Sequence, residues 1–155
     1  MARVLIIGYG NPLRSDDGLG WYAAVQLFRS AASPDIEVLP CHQLTPDLAE
    51  PVSHAETVLF LDSTHEGVPG EFHCSEIQPL ESCPSFTHHL SPQAVLGIAH
   101  ELYGVDPHAW LMTICGRNFG PGESLSPEVE RGMPALKKRV REVTTETLGT
   151  CPIVS

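Results

Sequence analysis

The segment Gly8-Tyr9-Gly10-Asn11-Pro12-Leu13-Arg14-Ser15-Asp16-Asp17-Gly18-Leu19-Gly20 follows the short apolar run Arg3 to Ile7. It leads into an amphipathic stretch, about Asp17 to Phe28, in which Leu19, Ala23, Ala24, Leu27 and Phe28 recur at helical spacing. A strand, a glycine-rich loop and a helix in that order open an α/β fold. Gly8-x-Gly10 stands where a dinucleotide-binding fingerprint would stand, but Leu13 takes the third glycine position. The second strand ends in Pro40-Cys41-His42, where a ribose-binding carboxylate belongs. Asp16 and Asp17 at the helix start would also repel a pyrophosphate from the free amides. Asp16 reads as the N-cap of the first helix, which leaves Asp17 over as a first-turn acid.

Downstream, the alternation continues. Ile36 to Leu39 reads as a strand, Pro46 to Val52 as a short helix and Thr57 to Leu61 as a fully buried strand. Glu71 to Ile77 alternates polar and apolar residues, the mark of a half-exposed, antiparallel edge strand. Ser91-Pro92 caps a helix whose apolar face includes Val95, Leu96, Ala99 and Leu102 and which Gly104 stops. Ala109 to Ile114 is the last strand, and Ser126-Pro127 opens a terminal helix. Gly132 and Pro134 are expected to delay or kink the first turns of that helix. The predicted architecture is a three-layer α/β/α sandwich on a mainly parallel, twisted five-stranded sheet, with one edge strand antiparallel. Residues 1–155 read as one domain.

The chain has 155 residues, 42% of them hydrophobic and 18% charged, enough for a real core despite 14 Pro and 13 Gly. Nine Lys plus Arg against 19 Asp plus Glu leave a net charge of −10. So few cations can hardly build the basic face that nucleic acid or an anionic membrane would require. The one dense basic run, Lys137-Lys138-Arg139 with Arg141, reads as a solvated face and C-terminal charge of the last helix. Five cysteines, odd in number, widely spaced and without a CxxC pair, suit a reduced cytoplasmic protein rather than a zinc or disulfide framework. The run Val4 to Ile7 is too short for a signal core or a membrane span, and no other stretch reaches the required length.

Asp62 follows the apolar run Val58 to Leu61 and so emerges at the carboxyl rim of a parallel sheet, where such sheets bind ligands. If strands one and three are neighbours, with strand two beyond strand one, the crevice between them receives both Asp17 and Asp62. On position alone, Asp62 capping a turn into Ser63-Thr64 is an equal reading. His88-His89 precedes the helix at Ser91 and could bring an imidazole to the same edge. The other histidines, His42, His54, His65, His73, His100 and His108, read as surface or loop residues. Two carboxylates and an imidazole form a small oxygen and nitrogen set that suits a divalent transition metal with open positions.

With these residues in place, the chain resembles the hydrogenase maturation proteases, endopeptidases that trim the C-terminus of the nickel-iron hydrogenase large subunit. The likeness is sharpest in GYGNPLRSDDGLG, similar to the family's strand, G-x-G-N, and acid pair followed by Gly. VLFLDSTHEGVPGEF resembles the strand that ends in the family's second functional aspartate, although Ser63 stands where alanine is usual. The resemblance implies that Asp17, Asp62 and His88 are catalytic and metal-contacting residues. His88, rather than His89, has the family's spacing of eight to the helix leucine Leu96. It further implies that the nickel is supplied by the substrate, with other divalent metals as surrogates, and that the partner is the large-subunit precursor. The alternatives are a nickel-binding or nucleotide-binding module that cuts nothing.

Overall fold

The computed structural model describes residues 2–81 and 90–153. Five strands form one sheet: β1 (Val4–Tyr9), β2 (Ile36–Cys41), β3 (Thr57–Thr64), β4 (Phe72–Ile77) and β5 (His108–Cys115). Their order is β2-β1-β3-β5-β4. All neighbours run parallel except β4, which pairs antiparallel with β5 at the edge, as its alternating sequence predicts. The helices are α1 (Leu19–Ser30), α2 (Ala49–His54), α3 (Pro92–Tyr103) and α4 (Pro127–Leu148).

Because successive residues of a strand face opposite sides, the apolar strands feed two cores. Val4, Ile6, Val38, Leu59, Leu61, Met112 and Ile114 pack with α1 and α4. Leu5, Ile7, Val58, Phe60 and Ala109 pack on the other face with α2 and α3. These two faces are the outer layers of the predicted sandwich. Among the described residues no helix is long and apolar enough to cross a membrane.

Local signals set the ends of α3 and the start of α4. Ser91 Oγ accepts from Ala94 N at 3.1 Å and Ser126 Oγ from Val129 N at 3.4 Å, so both Ser-Pro pairs act as the expected caps. Gly104 closes α3 in the left-handed conformation. In α4 the outcome differs from the sequence expectation. Gly132 and Pro134 neither delay nor interrupt the helix, which runs unbroken from Pro127 to Leu148. Pro134 is exposed, so the Glu130 carbonyl that loses its helical donor faces water instead of the core. Because α4 extends to Leu148, the run Lys137 to Arg141 lies in mid-helix and offers nothing to the C-terminal dipole. Within that run, Arg139 lies over the Trp110 ring, 5.0 Å from its centroid, and Lys137 reaches Gln26.

The first helix crosses the strand ends closely. A Cβ on Gly20 would lie 2.2 Å from Leu61 O and 2.4 Å from Tyr9 O, so only glycine lets α1 settle over the rim between β1 and β3. That approach brings the start of α1 to the place where chain connections leave the sheet in opposite directions. α1 returns to β2 on one face, while α2 leads into β3 on the other.

Candidate functional site

At this switch point a cleft of about 560 Å³ opens. Tyr9, Gly10, Asn11, Arg14 and Asp17 line it from the end of β1 and the loop beyond, Asp62 from β3, His42 and Leu44 from the segment after β2, and Leu90 from the approach to α3. The two aspartates expected at the rim therefore converge on one cavity. His88 and His89 lie outside the described residues. Among the described residues, no three His, Cys, Asp or Glu side chains cluster closely enough to hold a metal ion.

Asp17 sits in a 3-10 turn, Ser15–Gly18, that precedes α1. Its Oδ2 accepts the Asn11 amide at 3.0 Å, and Asn11 Oδ1 in turn accepts from Leu13 N at 2.9 Å. Gly10 makes this fold-back possible: its φ is +146°, and a Cβ there would meet Asp17 O at 2.0 Å. The Tyr22 hydroxyl braces the loop from behind, 2.9 Å from Pro12 O and 2.6 Å from Glu123 O.

Asp16 departs from its predicted role. The N-cap of α1 is Gly18, with no side-chain cap, and the Asp16 side chain points across the molecule instead. Its Oδ2 accepts from Arg117 N at 2.8 Å, Asn118 N at 3.0 Å and Ser126 Oγ at 2.8 Å, and its Oδ1 accepts from Ser126 N at 2.8 Å. The residue is fully buried. Burial opposes its ionisation, but the amides of Asn118, Ser126 and Arg117 and the Ser126 hydroxyl outweigh that and hold the carboxyl below its ordinary range. A cap preference is local, whereas this carboxylate ties the loop after β1 to the segment between β5 and α4. Ser15 next to it takes the left-handed conformation, φ +50°, and its hydroxyl donates to Gly120 O at 2.9 Å.

Asp62 has the opposite electrostatics. Burial pushes its carboxyl up to about 7, and Asp17 adds to the rise, while the Ser63 amide, 2.7 Å from Oδ1, and the Tyr9 phenol work against it. The Tyr9 hydroxyl is itself pushed well above the usual phenol range by burial and by the Asp62 charge, so it stays protonated as a donor.

This shift makes stability depend on pH. The unfolded chain loses the Asp62 proton near 3.8 and the folded chain near 7, so the native state binds the proton longer. Its stability relative to an Asp62→Asn variant should therefore fall as pH rises from about 4 to about 7 and level off above that. Chemical denaturation at pH 4 and pH 8 should show the difference widening in favour of the variant by about 2 kcal/mol. The ceiling is about 4 kcal/mol at 1.36 kcal/mol per unit, and the part of Asp62 that faces the cleft is screened by solvent. A difference that stays constant between the two pH values would contradict the buried carboxyl.

Sequence reasoning missed Tyr9 and His42. His42, a surface or loop histidine by its sequence, is exposed, but on the cleft wall and near Trp21, with ring centroids 6.4 Å apart. Its position directly after the second strand, at the same rim as Asp62, was the available signal. Of the remaining histidines, His65 stacks on Phe119 at 3.8 Å, and His54 and His100 pair with Glu50 and Asp106.

No protein-family model and no curated protein sequence matches the chain. Solved structures do. The [NiFe] hydrogenase maturation protease HycI from Thermococcus kodakarensis KOD1 is 25% identical, with 92% of each chain covered and a TM-score of 0.74. The hydrogenase 2 maturation peptidase from Thaumarchaeota archaeon SCGC_AB-539-E09 is 27% identical, covering 92% of this chain and 97% of its own, with a TM-score of 0.70. The hydrogenase maturating endopeptidase HybD from E. coli is 22% identical and shares the fold over 94% of both chains, with a TM-score of 0.77. The chain is thus similar to hydrogenase maturation proteases over nearly its whole length.

Proposed function

We propose that this chain is a peptide-bond hydrolase that removes a C-terminal peptide from the nickel-loaded large-subunit precursor of a nickel-iron hydrogenase. In this reading Asp17, Asp62 and His88 contact the precursor's nickel, with other divalent ions as surrogates, and the work is done in the cytoplasm. The observation that carries it is the convergence of Asp17 and Asp62 on one cleft, in a fold similar to that of the maturation proteases. Two carboxylates at one cleft, one of them desolvated, gain most from a cation, since a positive charge relieves both the burial cost and the mutual repulsion. His88 is two residues before Leu90, a wall of the cleft, and would add the nitrogen donor that a borderline metal favours.

The chemistry assigned to the chain follows from these charges. Near neutrality Asp62 carries its proton part of the time and releases it as a cation arrives; the ionised pair then holds the metal-bearing end of the precursor against the cleft. The precursor's nickel supplies Lewis acidity, polarising the scissile carbonyl or a water beside it. A shared-proton aspartate dyad fits less well. In such a dyad the neighbouring carboxylate dominates the shift, whereas burial is the largest cause here and Asp17 the smallest.

The test is to incubate the protein with nickel-loaded and nickel-free precursor and weigh the large subunit. A mass loss of one C-terminal peptide from the loaded form alone is the expected result. Nickel binding without any loss would favour a metal-holding module, and no loss with tight nucleotide binding would favour a nucleotide module.

A further inference from the structure

We propose that Tyr9 is a positioning residue, whose phenol O–H donates to the Asp62 carboxylate and sets the direction in which that carboxylate faces the cleft. The inference rests on the reading of Asp62 as a substrate contact and extends it to a residue outside the carboxylate pair. Its basis is register. Tyr9 pairs with Cys41 on β2, Gly8 pairs with Leu61 on β3, and Asp62 pairs with Thr113 on β5. Tyr9 and Asp62 are each one step beyond the Gly8 and Leu61 pair, so in these parallel strands they are cross-strand neighbours. They share the α2/α3 face, since Tyr9 continues the series Leu5, Ile7 and Asp62 the series Val58, Phe60. Both also line the same cleft.

A carboxylate that leaves a strand toward a cleft is free to rotate unless both of its sides are engaged. The Ser63 amide, 2.7 Å from Oδ1, supplies one anchor from the chain itself. The phenol supplies a second from the neighbouring strand, and two anchors fix the plane of the group while leaving lone pairs for the cleft. Tyr9 suits this part because a phenol, which ordinarily ionises only at about 10, keeps its proton through the neutral range and can donate whichever state Asp62 adopts. The aromatic ring, half-buried against the α2/α3 core, holds the hydroxyl in place.

Tyr9→Phe keeps the ring and removes only the donor. With nickel-loaded precursor, kcat is expected to fall about 10-fold with KM within about twofold, the pattern of lost orientation instead of lost binding. The melting temperature should stay within about 2 °C, because the packing is retained. A second readout does not depend on activity. The Tyr9 13Cζ resonance should move when Asp62→Asn replaces the carboxylate and stay still in Asp106→Asn, which alters a carboxylate paired with His100 at the far end of α3. A resonance indifferent to Asp62→Asn overturns the proposal whatever the kinetics, as does an unchanged kcat for Tyr9→Phe beside an active wild type. If the wild type cuts no precursor, the proposed function falls, and the resonance alone then decides whether Tyr9 holds Asp62.

Discussion

Asp17→Asn and Asp62→Asn should each lower cleavage of a nickel-loaded precursor at least about 100-fold, with the protein still folded. Asparagine matches aspartate in size and can keep each local hydrogen bond. At position 17 its carbonyl oxygen can still accept the Asn11 amide, and at position 62 it can still accept the Ser63 amide. What disappears is the negative charge, which is the property a cation-bearing substrate requires. If the two carboxylates act as one unit on the same metal centre, the double variant should be little worse than either single one, because removing one member already disables the set. Independent contributions would instead multiply. Full activity in either single variant would remove that residue from the site, and multiplicative losses would show that the two act on different steps. Nickel-free precursor is the control, since it should remain uncut by every version of the protein.

Asp16→Asn should cost about 3 kcal/mol of folding stability, measured as a lower urea midpoint at unchanged slope. The carboxylate accepts three backbone amides and a hydroxyl through two oxygens, in a fully buried position. A carboxamide turns one of those acceptors into a donor aimed at other donors, and the displaced amides find no water to replace it. The sign of the pH dependence is opposite to that at Asp62. The folded carboxyl ionises below its ordinary 3.8, so this stabilisation is fully present above about pH 5 and is lost as pH falls through the folded value. The gap between wild type and variant should therefore narrow in acid. A cost under about 1 kcal/mol, or a gap insensitive to acid, would mean that the amides have other partners.

The two adjacent acids show what the sequence can and cannot convey. Asp17 and Asp62 were legible because their meeting depends on strand order. Strand order in turn follows from the alternation of buried strands and helices, which the composition of each segment announces. The antiparallel edge was legible for a similar reason, since the alternation from Glu71 to Ile77 leaves one side for water. The role of Asp16 is not legible, because its environment is built from residues 101 to 110 positions away, and a local preference for capping says nothing of them. Tyr9 gives no signal in the sequence, because its place beside Asp62 lies in a register of single residues between two strands, which periodicity does not resolve. In α4, propensity argued for a broken start, but the exposure of Pro134 made the interruption harmless and let burial of Val129, Met133, Leu136 and Val140 decide the helix. The same outcome displaced the basic run from the helix end to its middle.

The long reach of Asp16 also bears on when the site comes into being. The loop that carries Asp17 is tied down by Ser126, 110 residues later, and Ser126 is at the same time the cap of the last helix. Contacts across so much chain close late, because the loop between them must first lose its freedom. A chain still emerging from the ribosome can pair β1 with β2 and β3 while its acidic loop has no clamp. Asp16 gains its last two donors, the amide and hydroxyl of Ser126, only when the start of α4 docks, so the loop that carries Asp17 should take its final form only after the strands of the sheet have met.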